Sequence, residues 1–143
     1  MNLMDFGLPL GRQFRVLKLW FTMRALGRQG VQRLIRHHVE LAQRLASAIR
    51  KDHRFELTVP VSFTTVCFRY CGTDAENEAI LADMLADGSC LLSATQLNGR
   101  FALRIAVGNS QTEWHDVEEC WRLIQRLAPA HSVIVQARKE KTS

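Results

Sequence analysis

The stretch "LLSATQLNGRFALRIAVGN", Leu91 to Asn109, decides what kind of fold this 143-residue chain can adopt. At its centre stands Asn98-Gly99, the dipeptide that most readily takes positive φ at both middle positions of a type I′ turn, whose twist suits a two-residue hairpin. Leu91–Leu97 and Phe101–Val107 on either side read as its two strands. In the second strand Phe101, Leu103, Ile105 and Val107 form one wholly apolar face, and Arg100, Ala102, Arg104 and Ala106 form the other. The apolar face needs a cover of helices. Arg104, flanked on its own side by two alanines, has room for its guanidinium to lie flat and be approached.

Two more strands precede the hairpin, Phe55, Leu57 and Val59 alternating before Pro60, then Val66, Phe68 and Tyr70 after it. Residues 77–87 change to helical spacing through Ile80, Leu81, Met84 and Leu85, and Gly88 closes that helix. Beyond the hairpin, Ser110-x-x-Glu113 offers a capping box to a last helix striped by Val117, Cys120, Trp121, Ile124 and Leu127, which Pro129 helps to end. The tail "ARKEKTS" is polar and should fray.

The N-terminal third is helical in pattern. "PLGRQFRVLKLWFTMRALG", Pro9 to Gly27, is apolar around most of its circumference from Phe14 to Leu26, as a helix covered on several sides would be. Gly27 and Gly30 then serve as a C-terminal cap and a fresh start. A second helix carries Val31, Leu34, Ile35, His38, Leu41, Ala42, Leu45, Ala48 and Ile49 on one face and Arg33, Arg36, Arg44 and Arg50 on the other. His38 lies within the apolar stripe and reads as a core or boundary histidine with no assigned role. The expected fold is therefore α+β: two N-terminal helices, then a small, mostly antiparallel sheet covered by helices.

Composition restricts the function classes. The net charge of +5 is unevenly spread: Arg12 to Arg54 holds 11 Lys or Arg against Glu40 and Asp52, a balance of +9, whereas 55–143 carries 8 against 11, or −3. No apolar run approaches the roughly 18 residues of a membrane-spanning helix, so no membrane partner is expected. Cys67, Cys71, Cys90 and Cys120 have neither zinc-site nor disulfide-framework spacing, so reduced thiols and a cytoplasmic setting are expected, with no metal. There is no Gly-x-Ser-x-Gly elbow and no phosphate-cradling glycine loop, and the adjacent His37 and His38 point to different faces of a helix. The basic N-terminal third permits a nucleic-acid-binding reading, but Phe14, Trp20 and Phe21 lie within the oily face instead of alternating with the arginines as a stacking platform would require. Nucleic acid is a disfavoured partner on that ground.

"PLGRQFRVLKLWFTMRALGRQGVQRLIRHHVELAQRL" resembles the segment joining the large and small domains of the group II pyridoxal-phosphate-dependent amino-acid decarboxylases, the aromatic-L-amino-acid type above all. The resemblance runs on through "DHRFELTVPVSFTTVCFRYCG" and "LNGRFALRIAVGN" and covers Asp5 to about Leu127; Gln13 departs from it where the family usually has a second arginine. It implies the C-terminal small domain of a fold-type I enzyme. Residues 1–28 would be the end of the large domain and the linking helix, 29–130 the small α+β domain, and 131–143 a polar tail. It also implies a carboxy-lyase using pyridoxal 5'-phosphate, a small amino-acid substrate, an upstream large domain as partner and a homodimer in the complete enzyme. The family's Schiff-base lysine follows a histidine, and Lys18, Lys51, Lys139 and Lys141 do not, so no catalytic or cofactor-binding residue is expected here and the chain alone should be inactive.

Two substrate-binding residues follow from the resemblance. Arg104 matches the family's arginine near the substrate carboxylate, and Gly11 matches a position that is glycine in aromatic-acting members and serine in histidine-acting ones. A solvated strand arginine and a simple turn glycine are the plainer alternatives for these two positions. For the whole chain the alternative to an enzyme portion is a stand-alone interaction module that keeps the fold.

Overall fold

The structure is a computed structural model that describes residues 15–128. Its element order is α1 (Arg15–Lys51), β1 (Phe55–Leu57), β2 (Thr65–Tyr70), α2 (Asp74–Asp87), β3 (Ser93–Leu97), β4 (Arg100–Ala106) and α3 (Trp114–Leu127). The chain divides into two compact units after Ile35.

In the N-terminal unit α1 is broken at Gly27, where φ is 62° and ψ 173°. A side chain there would meet nothing within 4 Å, so the left-handed φ, and not crowding, is what favours glycine. The break falls where the sequence places it, whereas Gly30 is helical and starts nothing new. Val16, Leu19, Trp20, Phe21 and Met23 are all exposed; Trp20 and Phe21 meet edge to face at 5.1 Å, and the Arg24 guanidinium lies 5.7 Å from the Trp20 ring.

In the second unit α1 buries His38, Leu41, Ala42, Leu45, Ala46 and Ile49. The expected stripe is thus shortened. Ile35 is exposed, and Ala46 is fully buried beside the half-buried Ala48. The four strands are all antiparallel, in the order β1-β2-β4-β3. Asn98 and Gly99 have φ of 53° and 74°, which closes the β3–β4 hairpin as its dipeptide requires. One core cluster joins Leu41, Leu45 and Ile49 of α1, Ile80 and Met84 of α2, and Val117, Trp121 and Ile124 of α3 to the apolar side of the sheet. At its centre the Trp121 ring meets Phe55 at 4.8 Å and Phe68 at 5.9 Å, both edge to face.

Helix α2 begins at Asp74, three residues before its apolar spacing becomes visible. Thr73 and Glu76 form a reciprocal capping box, the Thr73 hydroxyl accepting from Glu76 N–H and the Glu76 carboxylate accepting from Thr73 N–H at 2.7 Å. Asn77, fully buried, joins this helix to β2: its Oδ1 accepts from Tyr70 N–H, and its Nδ2 donates to the carbonyls of Tyr70 and Thr73. Gly88 closes the helix in the left-handed region with φ 75°.

Helix α3 corrects the expected cap at Ser110. Asn109 holds a turn, its side chain accepting from Gln111 N–H and its carbonyl from Thr112 N–H, and the helix starts one residue after Glu113. Asp116 accepts from Glu113 N–H at 2.8 Å. The same turn is pinned from α1, where His38 Nε2–H donates to the Asn109 carbonyl at 3.0 Å and His37 Nε2–H to the Thr112 carbonyl at 3.3 Å. His38 is the buried structural histidine its place in the stripe suggests.

Cysteine pairing departs from expectation. Cys90 and Cys120 form a disulfide joining the loop after α2 to α3, with Cα atoms 5.9 Å apart and a sequence separation of 30. Their spacing matches no motif, so only the fold brings them together; Cys67 and Cys71 are free thiols.

Candidate functional site

Because strand side chains alternate, the residues opposite the core face of the sheet form a second, polar face. Arg104 projects there from β4, with Cys67 of β2 and Ser93 of β3 as its directly paired neighbours. Its Nε donates to Ser93 Oγ at 3.0 Å, which fixes the plane of the fork. Among the described residues its terminal nitrogens make no hydrogen bond, and the side chain is exposed. Partial burial raises the Cys67 thiol above its ordinary range, and the charge of Arg104 works against that rise.

Arg69 is the functional-looking residue that sequence reading missed. It lies on the same face as Cys67 yet is 2% exposed. Its guanidinium donates to the carbonyls of Tyr70 and Gly72 and pairs with Asp74 at 3.1 Å; Glu56, 3.9 Å away, is shared with Arg100 at 2.9 Å. The alternating pattern of β2 marks its face but not its burial. Gly72 follows from the same packing, since a Cβ there would run into the Tyr70 ring and the Glu76 carboxylate.

Gly11, the other expected substrate-binding position, lies outside the described residues, as do Lys139 and Lys141. Of the remaining lysines, Lys18 is exposed on the N-terminal helix. Lys51 lines an open hollow with Arg44 and Trp114, but the Arg44 guanidinium is stacked on the Trp114 ring at 4.0 Å instead of being free for a phosphate. The one acid lining that hollow is Glu118. With Arg44 stacked on Trp114, this hollow does not fit a pyridoxal phosphate. The described residues include no group of three His, Cys, Asp or Glu placed to hold a metal ion, and no described helix is long and apolar enough to cross a membrane.

What this face can do chemically is bind: a half-anchored, accessible guanidinium matches a carboxylate in two-pronged fashion. It holds no nucleophile with a base beside it. An antiparallel sheet covered on one side by helices, with an arginine presented on the other, is an α+β domain with a binding face.

The comparisons with known proteins agree with that class. Residues 1–71 match the profile described as the Pyridoxal-dependent decarboxylase conserved domain. Tryptophan decarboxylase 2 of Oryza sativa subsp. japonica is 38% identical over 128 residues, 85% of this chain and 26% of that protein. Aromatic-L-amino-acid decarboxylase of Cavia porcellus is 39% identical over 121 residues, 85% of this chain and 25% of that protein. The crystal structure of Oryza sativa TDC with PLP and tryptamine superposes with a TM-score of 0.76 at 35% identity, covering 90% of this chain and 29% of that one. The chain belongs to the pyridoxal-dependent decarboxylase family, as a C-terminal-type portion. It spans about a quarter of the length of the curated relatives it matches.

Proposed function

We propose that this chain supplies the small domain of a cytoplasmic pyridoxal-phosphate-dependent carboxy-lyase acting on aromatic L-amino acids. In this reading residues 1–28 are the end of the large domain and the linking helix, 29–130 the small domain and 131–143 a polar tail. The reading rests most heavily on Arg104, whose fork is aligned by Ser93 and open to a ligand on the uncovered sheet face. There it would hold the carboxylate of the amino-acid substrate, and Gly11 would leave space for an aromatic ring.

The cofactor's lysine and ring-binding groups come from the upstream polypeptide, and the complete enzyme is a homodimer. When bound there, the cofactor supplies the electron sink for loss of the carboxyl group. This chain contributes substrate orientation and an uncovered sheet face for the upstream polypeptide to pack on, and by itself it is inactive. The test is to add pyridoxal phosphate to the purified chain and reduce with borohydride. The expected result is no stoichiometric covalent adduct with the chain alone and one adduct, on the upstream piece, when both pieces are present. A one-to-one adduct on this chain alone would refute the division of labour.

A further inference from the structure

An arginine fork can grip a carboxylate by either of two edges, the pair of terminal nitrogens at its end or Nε together with the terminal nitrogen beside it. Which edge is open depends on what holds the rest of the group. At Arg104 the Nε–H is taken, since it donates to Ser93 Oγ at 3.0 Å, whereas the terminal nitrogens make no hydrogen bond among the described residues. The Ser93 hydroxyl proton is committed elsewhere, to the Arg104 carbonyl at 3.4 Å, so the oxygen presents its lone pairs to Nε–H.

The register builds this contact. Ser93 and Arg104 are directly paired across β3 and β4, which places the hydroxyl beside the arginine side chain on the uncovered face. Cys67 pairs with Arg104 from β2, and a half-buried thiol is a weak acceptor. Along β4 the neighbours on the same face are Ala102 and Ala106, whose side chains carry no polar atom. Of these four neighbours only Ser93 can hold Nε well.

We propose that Ser93 is a positioning residue that sets how a carboxylate is taken up: it closes the side edge of the Arg104 guanidinium and leaves the end edge, so the carboxylate binds in line with the Nε–Cζ bond. This deepens the proposed function and rests on it, since it takes Arg104 as the partner of the substrate carboxylate. Without the hydroxyl the guanidinium turns about its side-chain bonds and offers either edge. Binding must then restrict a freedom that Ser93 had already removed.

The experiment uses the full chain mixed with the Oryza sativa tryptophan decarboxylase lacking its own matching C-terminal quarter, and reads KM for L-tryptophan. Ser93→Ala is expected to raise KM about three-fold, as loss of one exposed hydrogen bond would, and Ser93→Thr to restore it. In an Arg104→Ala background Ser93→Ala should change nothing further. The isolated chain gives a second readout by nuclear magnetic resonance, in which the Arg104 Nε–H should exchange with water at least three-fold faster in Ser93→Ala. An unchanged KM or exchange rate in Ser93→Ala overturns the positioning role alone. So does an equal rise in KM with and without Arg104, which would mark a general effect on the strand. If Arg104→Ala itself leaves KM unchanged, or the unmodified mixture is inactive, the proposed function and the positioning role fall together.

Discussion

Reducing the Cys90–Cys120 disulfide should destabilise the second unit by an amount that its loop length sets. The bridge closes a loop of about 30 residues that contains the whole β3–β4 hairpin and the first half of α3. On the chain-entropy relation, a loop of that size removes about 12 cal/mol/K from the unfolded ensemble, about 3.6 kcal/mol at 25 °C. For a domain of this size a urea m-value of about 1.5 kcal/mol/M turns that into a midpoint about 2 M lower. The assay is urea unfolding followed by the fluorescence of Trp121, whose ring is held between Phe55 and Phe68, with and without a phosphine reductant. The Cys90→Ala/Cys120→Ala double variant is the control and should behave as the reduced chain does. The slope should also steepen on reduction, because the freed unfolded chain exposes more surface. If mass spectrometry shows both thiols free and the midpoint moves by less than about 0.5 M, the entropic reasoning is wrong for this loop.

Three further outcomes follow from named contacts. Asp52 accepts from the Arg54 side chain and backbone and from Gln125, and the Arg54 guanidinium holds its carboxyl far below the usual carboxylate range. A group so depressed stabilises the fold above its unfolded value of about 4 and loses that contribution as pH falls further; urea midpoints should drop below pH 4, and Asp52→Asn should flatten that drop. Asn77→Ala removes three buried hydrogen bonds to the backbone of Tyr70 and Thr73 and should cost about 3 kcal/mol, measured as a fall in unfolding free energy. In an enzyme reassembled with its upstream part, Arg104→Ala should raise KM for the amino acid at least ten-fold while leaving cofactor affinity within two-fold, and equal losses in both would count against a carboxylate contact.

The elements that were legible in the sequence are those whose signal is local. Asn98-Gly99 specifies its turn through backbone sterics alone, Gly27 and Gly88 mark left-handed positions, and the α3 stripe from Val117 to Ile124 repeats at the helical period. Arg104 was legible as an approachable strand arginine because its flanking alanines alternate with it. The features that escaped depend on partners distant in sequence. The polar first turn of α2 has no apolar period to announce it, and its start is set by the Thr73–Glu76 exchange. The cap at Ser110 lost to an Asn109 turn that two histidines on α1 hold in place, some 70 residues away. Arg69 reads as an ordinary polar-face residue until Glu56, Asp74 and two carbonyls are seen to enclose it, and nothing local pairs Cys90 with Cys120.

In the proposed function this chain completes a decarboxylase whose cofactor lysine lies on the upstream polypeptide. The most direct test is carbon dioxide release from carboxyl-labelled L-tryptophan by this chain, by the upstream piece of the rice enzyme, and by the two mixed. Release only from the mixture is the expected result. Release by the purified chain alone would refute the proposed function.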